Sequence, residues 1–275
     1  MKLATFRTHT GTRCVRVEDA DTIVDLGAPD LGVLLADGNW RQRVKLPGTQ
    51  LSSEGSFAPA VPHPSKVICV GLNYRHHIAE MGRAMPTHPT LFAKFAEALI
   101  GATDPIALPP ESAGADWEAE LAIIIGKPVR RASAGEAADA IAGFSILNDI
   151  TMRDWQYRTT QWLQGKSFEA TTPLGPFMVT PDELPGGCEP ALQLSCSVNN
   201  ERVQEANTAD LVFGPIDLIR YISTIVTLKP GDVIATGTPG GVGHAEDPPR
   251  HLNHGDVVVT KIEGLGELWN VVQAA

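Results

Sequence analysis

Short apolar runs separated by Gly and Pro are the dominant pattern in the chain. Ala119–Ile125, Ala142–Leu147, Leu192–Val198, Asp232–Thr236, Asp256–Ile262 and Gly266–Val272 predict strands, several of them rich in β-branched residues. Lys66–Val70 predicts another, running directly into Gly71-Leu72-Asn73-Tyr74. Helical patterns are fewer. Ser133–Ile141 is Ala-rich and amphipathic, Met152–Gln161 follows an acidic cluster, and Gly214–Ser223 carries Pro215 at a first-turn position. Because helices do not alternate regularly with strands, the expected class is α+β with a β-rich mixed sheet, not a doubly wound sheet.

Residues 1–60 alternate short apolar pieces (Leu3–Phe6, Cys14–Val17, Thr22–Leu26) with Gly, Asp and Pro turns, which predicts a separate small β-rich module. The three prolines within residues 57–64 predict an extended linker, and 64–275 would form the catalytic domain.

Composition narrows the function. A chain of 275 residues can bury a full core, and 43% hydrophobic with 20% charged residues is ordinary for a soluble globular protein. The formal charge of −10 argues against a nucleic-acid partner. No apolar stretch reaches membrane-span length, and the start turns polar too soon for a signal peptide, so no membrane partner is expected. Cys14, Cys69, Cys188 and Cys196 are widely spread without a CxxC pair and read as free thiols in a reducing cytoplasm.

The chemistry concentrates around Glu118 and Glu120, which open the run Leu121-Ala122-Ile123-Ile124-Ile125. Alternation along a strand points both to one face, where two carboxylates repel unless a proton or cation lies between them. Asp149 follows the next apolar stretch, far enough on for a crossover and a return strand to bring it beside them. Three oxygen ligands without Cys or His suit Mg²⁺, Mn²⁺ or Ca²⁺, not zinc. The competing reading faces Glu118 to the core and pairs Glu120 with an arginine.

If a helix starts near Asp149, Arg153 and Gln156 lie on its face and form a receptor for a carboxylate; otherwise they are a surface ion-pair partner and a solvated amide. Lys166 offers a point charge for an enolate or carboxylate oxygen, or is one more surface lysine. His77 and Glu80 would be neighbours on a helix, as a water-activating pair or as an inert exposed one. The segment Gly231–Gly243 runs from a strand into a Gly-rich loop without the lysine of a P-loop or the spacing of a dinucleotide fingerprint. Its N–H groups and the Thr236 hydroxyl are expected near a small anion.

Taken in order, GLNYRHHIAE, DWEAELAIIIG, NDITMRDWQ, GKSF…PLGP and LKPGDVIATGTPGGVG resemble the fumarylacetoacetate hydrolase family over roughly residues 64–272. Residues 1–60 resemble it less specifically. The resemblance implies a β-rich α+β fold, a divalent metal (Mg²⁺, Mn²⁺ or Ca²⁺) and a homodimer. It implies Glu118, Glu120 and Asp149 as metal ligands and Lys166 as the active-site lysine. Arg153 and Gln156 would contact substrate, Thr236 would face it, and His77 with Glu80 would form a dyad on a mobile segment that orders over it. His76 stands where family members often carry Asp, and the motif spacing selects His77.

Members act on 2-oxo acids, often acylpyruvates. The expected function is therefore metal-dependent hydrolysis of a C–C bond in an acylpyruvate-type 2,4-dioxo acid. An oxaloacetate-type decarboxylase or a 2-hydroxydienedioate isomerase on the same metal–enolate site is the alternative, and a non-catalytic metal-binding module the remote one. The distal end of the substrate would be read by Met81–Phe95 and His244–Leu252.

Overall fold

The structure is a computed structural model and describes residues 1–19, 22–52, 54–80 and 82–275. Met81, at the head of one expected specificity segment, lies outside the described residues. The main sheet is built around Ala119–Ile125, whose antiparallel neighbours are Ile141–Asn148 on one side and Val233–Ala235 on the other. Val233–Ala235 pairs in parallel with Val67–Gly71, and Thr90–Lys94 closes that edge. Beyond Ile141–Asn148 come Thr172–Val179 and then Lys2–Thr8, Gly11–Val17, Ile23–Asp25 and Thr49–Leu51. A second sheet of five strands contains Glu201–Asn207, Gln193–Val198, Val257–Ile262, Gly266–Ala274 and Ile106–Leu108. The α+β class holds: strands dominate, and the helices are short and scattered among them.

Alternation along Ala119–Ile125 sorts the core. Leu121, Ile123 and Ile125 join the apolar layer that includes Leu194, Val258, Ile262 and Leu268 of the second sheet. Ala122 and Ile124 face the opposite layer with Leu31, Leu34, Leu35 and Trp40 from the N-terminal region. Glu118 and Glu120 have the parity of that second face. Strand residues buried on both faces explain the near-continuous apolar run.

Residues 1–60 are tied into this frame. Lys2 and Leu3 pair with Val179 and Met178, Phe57 pairs with Phe6, and Ala60 N–H donates to the Leu174 carbonyl at 3.0 Å. The proline-rich stretch bends through residues 60–63, and Ala58, Ala60 and Val61 are buried in it. One other expectation changes, and one strand appears where none was expected. The helix expected over Met152–Gln161 is only Arg153–Gln156, because residues 157–161 are exposed and offer no apolar stripe to bury. Thr172–Val179 is a strand in the interior of the sheet despite Pro173 and Pro176, and the register against Ile141–Asn148 shifts between Phe144 and Ile146. Among the described residues no helix is long and apolar enough to cross a membrane, and all four cysteines are unbridged.

Candidate active site and metal centre

The hairpin-like pairing of the two central strands assembles the acidic centre. Ala119 lies opposite Asn148, and Asp149 N–H donates to the Glu118 carbonyl at 2.8 Å. Asn148 braces the junction: its Oδ1 accepts from Glu118 N–H at 2.9 Å and its Nδ2 donates to Thr260 at 2.8 Å. Glu118, Glu120 and Asp149 are all buried and offer oxygens within 4.8 Å of one another.

Three cations answer this charge. Lys166 Nζ bridges Glu118 Oε2 at 2.6 Å and Asp149 Oδ2 at 2.8 Å. Lys94 Nζ holds the other Asp149 oxygen at 2.6 Å. Arg153 pairs with Glu118 Oε1 at 2.7 Å and, through Nε, with Asp116 Oδ2 at 2.8 Å. Its Nη2 is also 2.8 Å from Asp116, but without hydrogen-bond geometry, and has no other acceptor. Gln156 Oε1 accepts from Arg153 Nη1 at 2.9 Å. Both adjacent carboxylates keep the buried Lys166 and Arg153 protonated against the cost of desolvation.

Glu120 is different. Among the described residues its single donor is Gly237 N–H, 2.7 Å from Oε2. Burial, and then the charges of Asp149 and Glu118, push its carboxyl well above the usual carboxylate range. A carboxylate so placed binds a proton or a metal. The donor set of three carboxylates with no nitrogen or sulfur fits a hard divalent cation, which Glu118, Glu120 and Asp149 would hold.

Lys166 reaches the centre because of Gly165. A Cβ there would meet Gln156 N at 2.5 Å and the Met152 carbonyl at 2.6 Å, so only glycine allows the two short helices to touch.

A cleft of about 270 Å³ opens over the centre, lined by His77, Glu118, Arg153, Gln156, Lys166 and Thr238 among others. Helix Arg75–Glu80 forms one wall. Buried Asn73 pins its approach, donating to the Phe213 and Thr236 carbonyls at 3.0 and 2.8 Å. His76 points away, with Nδ1 2.7 Å from Asp210 Oδ1. His77 faces the cleft; burial pushes its imidazole below the usual range, while Glu80 pulls it up. Glu80 is exposed, and no hydrogen bond joins it to His77, although both side chains abut Gly240.

Thr236 is not in the cleft. It is fully buried and donates its hydroxyl to the Leu121 carbonyl at 3.0 Å; Thr238 lines the cleft instead. The Gly-rich loop also spends its N–H groups on the protein's own carboxylates, Gly237 on Glu120, Gly243 and His244 on Asp116. Sequence reasoning missed Lys94, Asp116, Asn73 and Thr238. Asp116 stands two residues before Glu118, with the parity that a strand reading assigns to the acidic pair.

Residues 66–273 match the family described as fumarylacetoacetate (FAA) hydrolase C-terminal. The chain is 46% identical over 222 residues to the mitochondrial oxaloacetate tautomerase Fahd2a of Rattus norvegicus, covering 80% of this chain and 70% of that protein. The structure of a fumarylacetoacetate hydrolase from the psychrophilic Exiguobacterium antarcticum superposes with a TM-score of 0.90 at 34% identity, covering all of both chains. That of a 5-carboxymethyl-2-hydroxymuconate delta-isomerase from Mycobacterium smegmatis gives 0.81 at 32% identity, covering 100% of this chain and 99% of that one. A β-rich scaffold with a buried three-carboxylate centre under an open cleft is consistent with a family of enzymes that typically use a divalent metal. The chain belongs to the fumarylacetoacetate hydrolase family.

Proposed function

We propose that this protein is a metal-dependent enolising enzyme acting on a 2-oxo acid, and that its reaction is keto–enol tautomerisation of an oxaloacetate-class substrate. The observation that carries this reading is the 46% identity to an oxaloacetate tautomerase over 80% of the chain. The reading reorders the expected activities, since enolisation is the step that hydrolysis, decarboxylation and isomerisation on such a site have in common. Mg²⁺ or Mn²⁺ at Glu118, Glu120 and Asp149, a homodimeric assembly and the residue roles below belong to the same proposal.

A bound divalent cation would supply Lewis acidity toward the 2-oxo and carboxylate oxygens. Arg153, which lines the cleft, orients the substrate carboxylate through its guanidinium, which Gln156 holds in place. His77, neutral because burial disfavours its charged form, removes a proton from C3. The C–H electron pair becomes the C2=C3 bond, and the 2-oxo oxygen takes up charge that the Lys166 ammonium stabilises before a proton neutralises it. No atom is gained or lost. Water is unnecessary, so the reaction does not need the His77–Glu80 hydrogen bond that the structure lacks.

The second reading, hydrolytic cleavage of an acylpyruvate, is favoured by the full-length likeness to a fumarylacetoacetate hydrolase. The test is a substrate panel with Mg²⁺ or Mn²⁺. Deuterium uptake at C3 of oxaloacetate from D₂O, without pyruvate formation from acetylpyruvate, is the expected result. Rapid acetylpyruvate cleavage with slow oxaloacetate exchange would replace tautomerisation by hydrolysis.

A further inference from the structure

We infer that Arg83 receives the second carboxylate of the substrate and thereby makes the cleft selective for C4 dicarboxylates over monocarboxylates. The inference rests on the proposed enolisation of an oxaloacetate-class acid and adds the group that selects the diacid.

Charge at the site is closely matched. Four buried carboxylates (Asp116, Glu118, Glu120 and Asp149) face three buried cations, Lys94, Arg153 and Lys166. A divalent cation turns this single negative excess into a single positive one, which one substrate carboxylate neutralises. A dianion brings a second negative charge, for which the inner cluster has no cation left.

Three cationic side chains line the cleft: Arg83, Arg153 and Lys166. Arg153 and Lys166 are committed to Glu118 and its neighbours. Arg83 alone makes no ion pair or side-chain hydrogen bond among the described residues. Its backbone N–H donates to the Ile78 carbonyl at 3.1 Å, which anchors it just past the helix that carries His77. A free guanidinium presents a planar fork that matches a carboxylate. Its place beside His77 also sets the order of the substrate: one carboxylate toward Arg153, the reacting C3 at the imidazole, the second carboxylate toward Arg83. No lysine or arginine other than these three lines the cleft among the described residues, so the assignment is specific to Arg83.

The test uses Mg²⁺-loaded full-length protein and two acids, oxaloacetate and 2-oxobutanoate, which carries a methyl where oxaloacetate carries its second carboxylate. Deuterium uptake at C3 gives kcat and KM for each. In Arg83→Gln the ratio of kcat/KM for oxaloacetate over 2-oxobutanoate is expected to fall about 10- to 100-fold, as for loss of a charged hydrogen-bonded pair, with the loss carried by KM. Arg83→Lys should recover part of the ratio, since a point charge replaces the fork. A structural role would lower both acids together and leave the ratio unchanged; that result, or no change at all, overturns the assignment. Calorimetric binding of the same acids keeps the two proposals apart. Wild-type protein that prefers the diacid in binding but exchanges no proton ends the tautomerase reading and leaves Arg83 to be judged by the Kd ratio in Arg83→Gln. Wild-type protein with no preference for the diacid overturns Arg83 directly.

Discussion

Glu118, Glu120 and Asp149 sit at the junction of two adjacent strands in the middle of the main sheet, buried and braced by Lys94, Lys166, Arg153 and Asn148. His77, Glu80 and Arg83 sit on a helix of six residues and the coil behind it, held to the frame mainly through Asn73, Arg75 and His76. The first region is fixed by backbone pairing and by mutual charge, so its geometry cannot change without cost to the fold. The second can vary at little cost to stability. Chemistry common to relatives named as a tautomerase, a hydrolase and an isomerase fits the braced centre, and the choice among those reactions fits the lightly held wall.

The sharpest break in that comparison is Glu120→Ala. It removes the one carboxylate without a cation of its own, and should abolish divalent-metal binding while lowering turnover by at least about three orders of magnitude. Metal binding by calorimetry on wild type and variant checks it.

His77→Ala should cut C3 exchange by about two to four orders of magnitude, the usual worth of a positioned base, with metal affinity kept. His76→Ala, whose partner Asp210 is on the outside of the wall, should be nearly silent. If His76 proves essential and His77 dispensable, the helix faces the cleft in another register.

Gly165→Ala probes the braced region through packing. Its Cβ would fall 2.5 Å from the Gln156 backbone N, so the two short helices must separate and carry Lys166 away from Glu118 and Asp149. A fall of about 1–3 kcal/mol in denaturant stability is expected, together with a loss in kcat. Unchanged stability and turnover would show that Lys166 does not depend on that contact.

The smallest effect is on pH. In the proposed reaction the free imidazole accepts the proton, so activity should be present above the His77 pKa and lost as pH falls through it. Burial holds that pKa down, which places the acidic limb of kcat/KM below the ordinary imidazole value of about 6.5. Glu80 opposes this shift, so Glu80→Gln should move the limb further toward acid. Movement toward neutral pH would mean that Glu80 does not face His77.

Much of the centre was legible in the chain because strand alternation is strict. The parity of Glu118 and Glu120, and the acid after the return strand, follow from a period of two. Alternation failed where the backbone breaks it. Gly237 has φ +98°, so Thr236 and Thr238 on either side of it point differently from a regular strand, and the inward-facing one cannot be chosen by counting. Lys94 ends the short strand Thr90–Lys94 and reads as a solvent-facing lysine until Asp149 is seen opposite it. Pro173 and Pro176 disguised a strand interior to the sheet, since proline ordinarily marks an edge.

Chelation and metal return test the central claim most directly. Protein freed of metal by EDTA is mixed with oxaloacetate in D₂O while Mg²⁺ or Mn²⁺ is titrated back. C3 exchange should be negligible without metal and should rise to saturation with one cation bound per chain, in parallel with calorimetric binding that Glu120→Ala lacks. Exchange that persists at full rate in metal-free protein, or metal binding left intact in Glu120→Ala, would contradict the account.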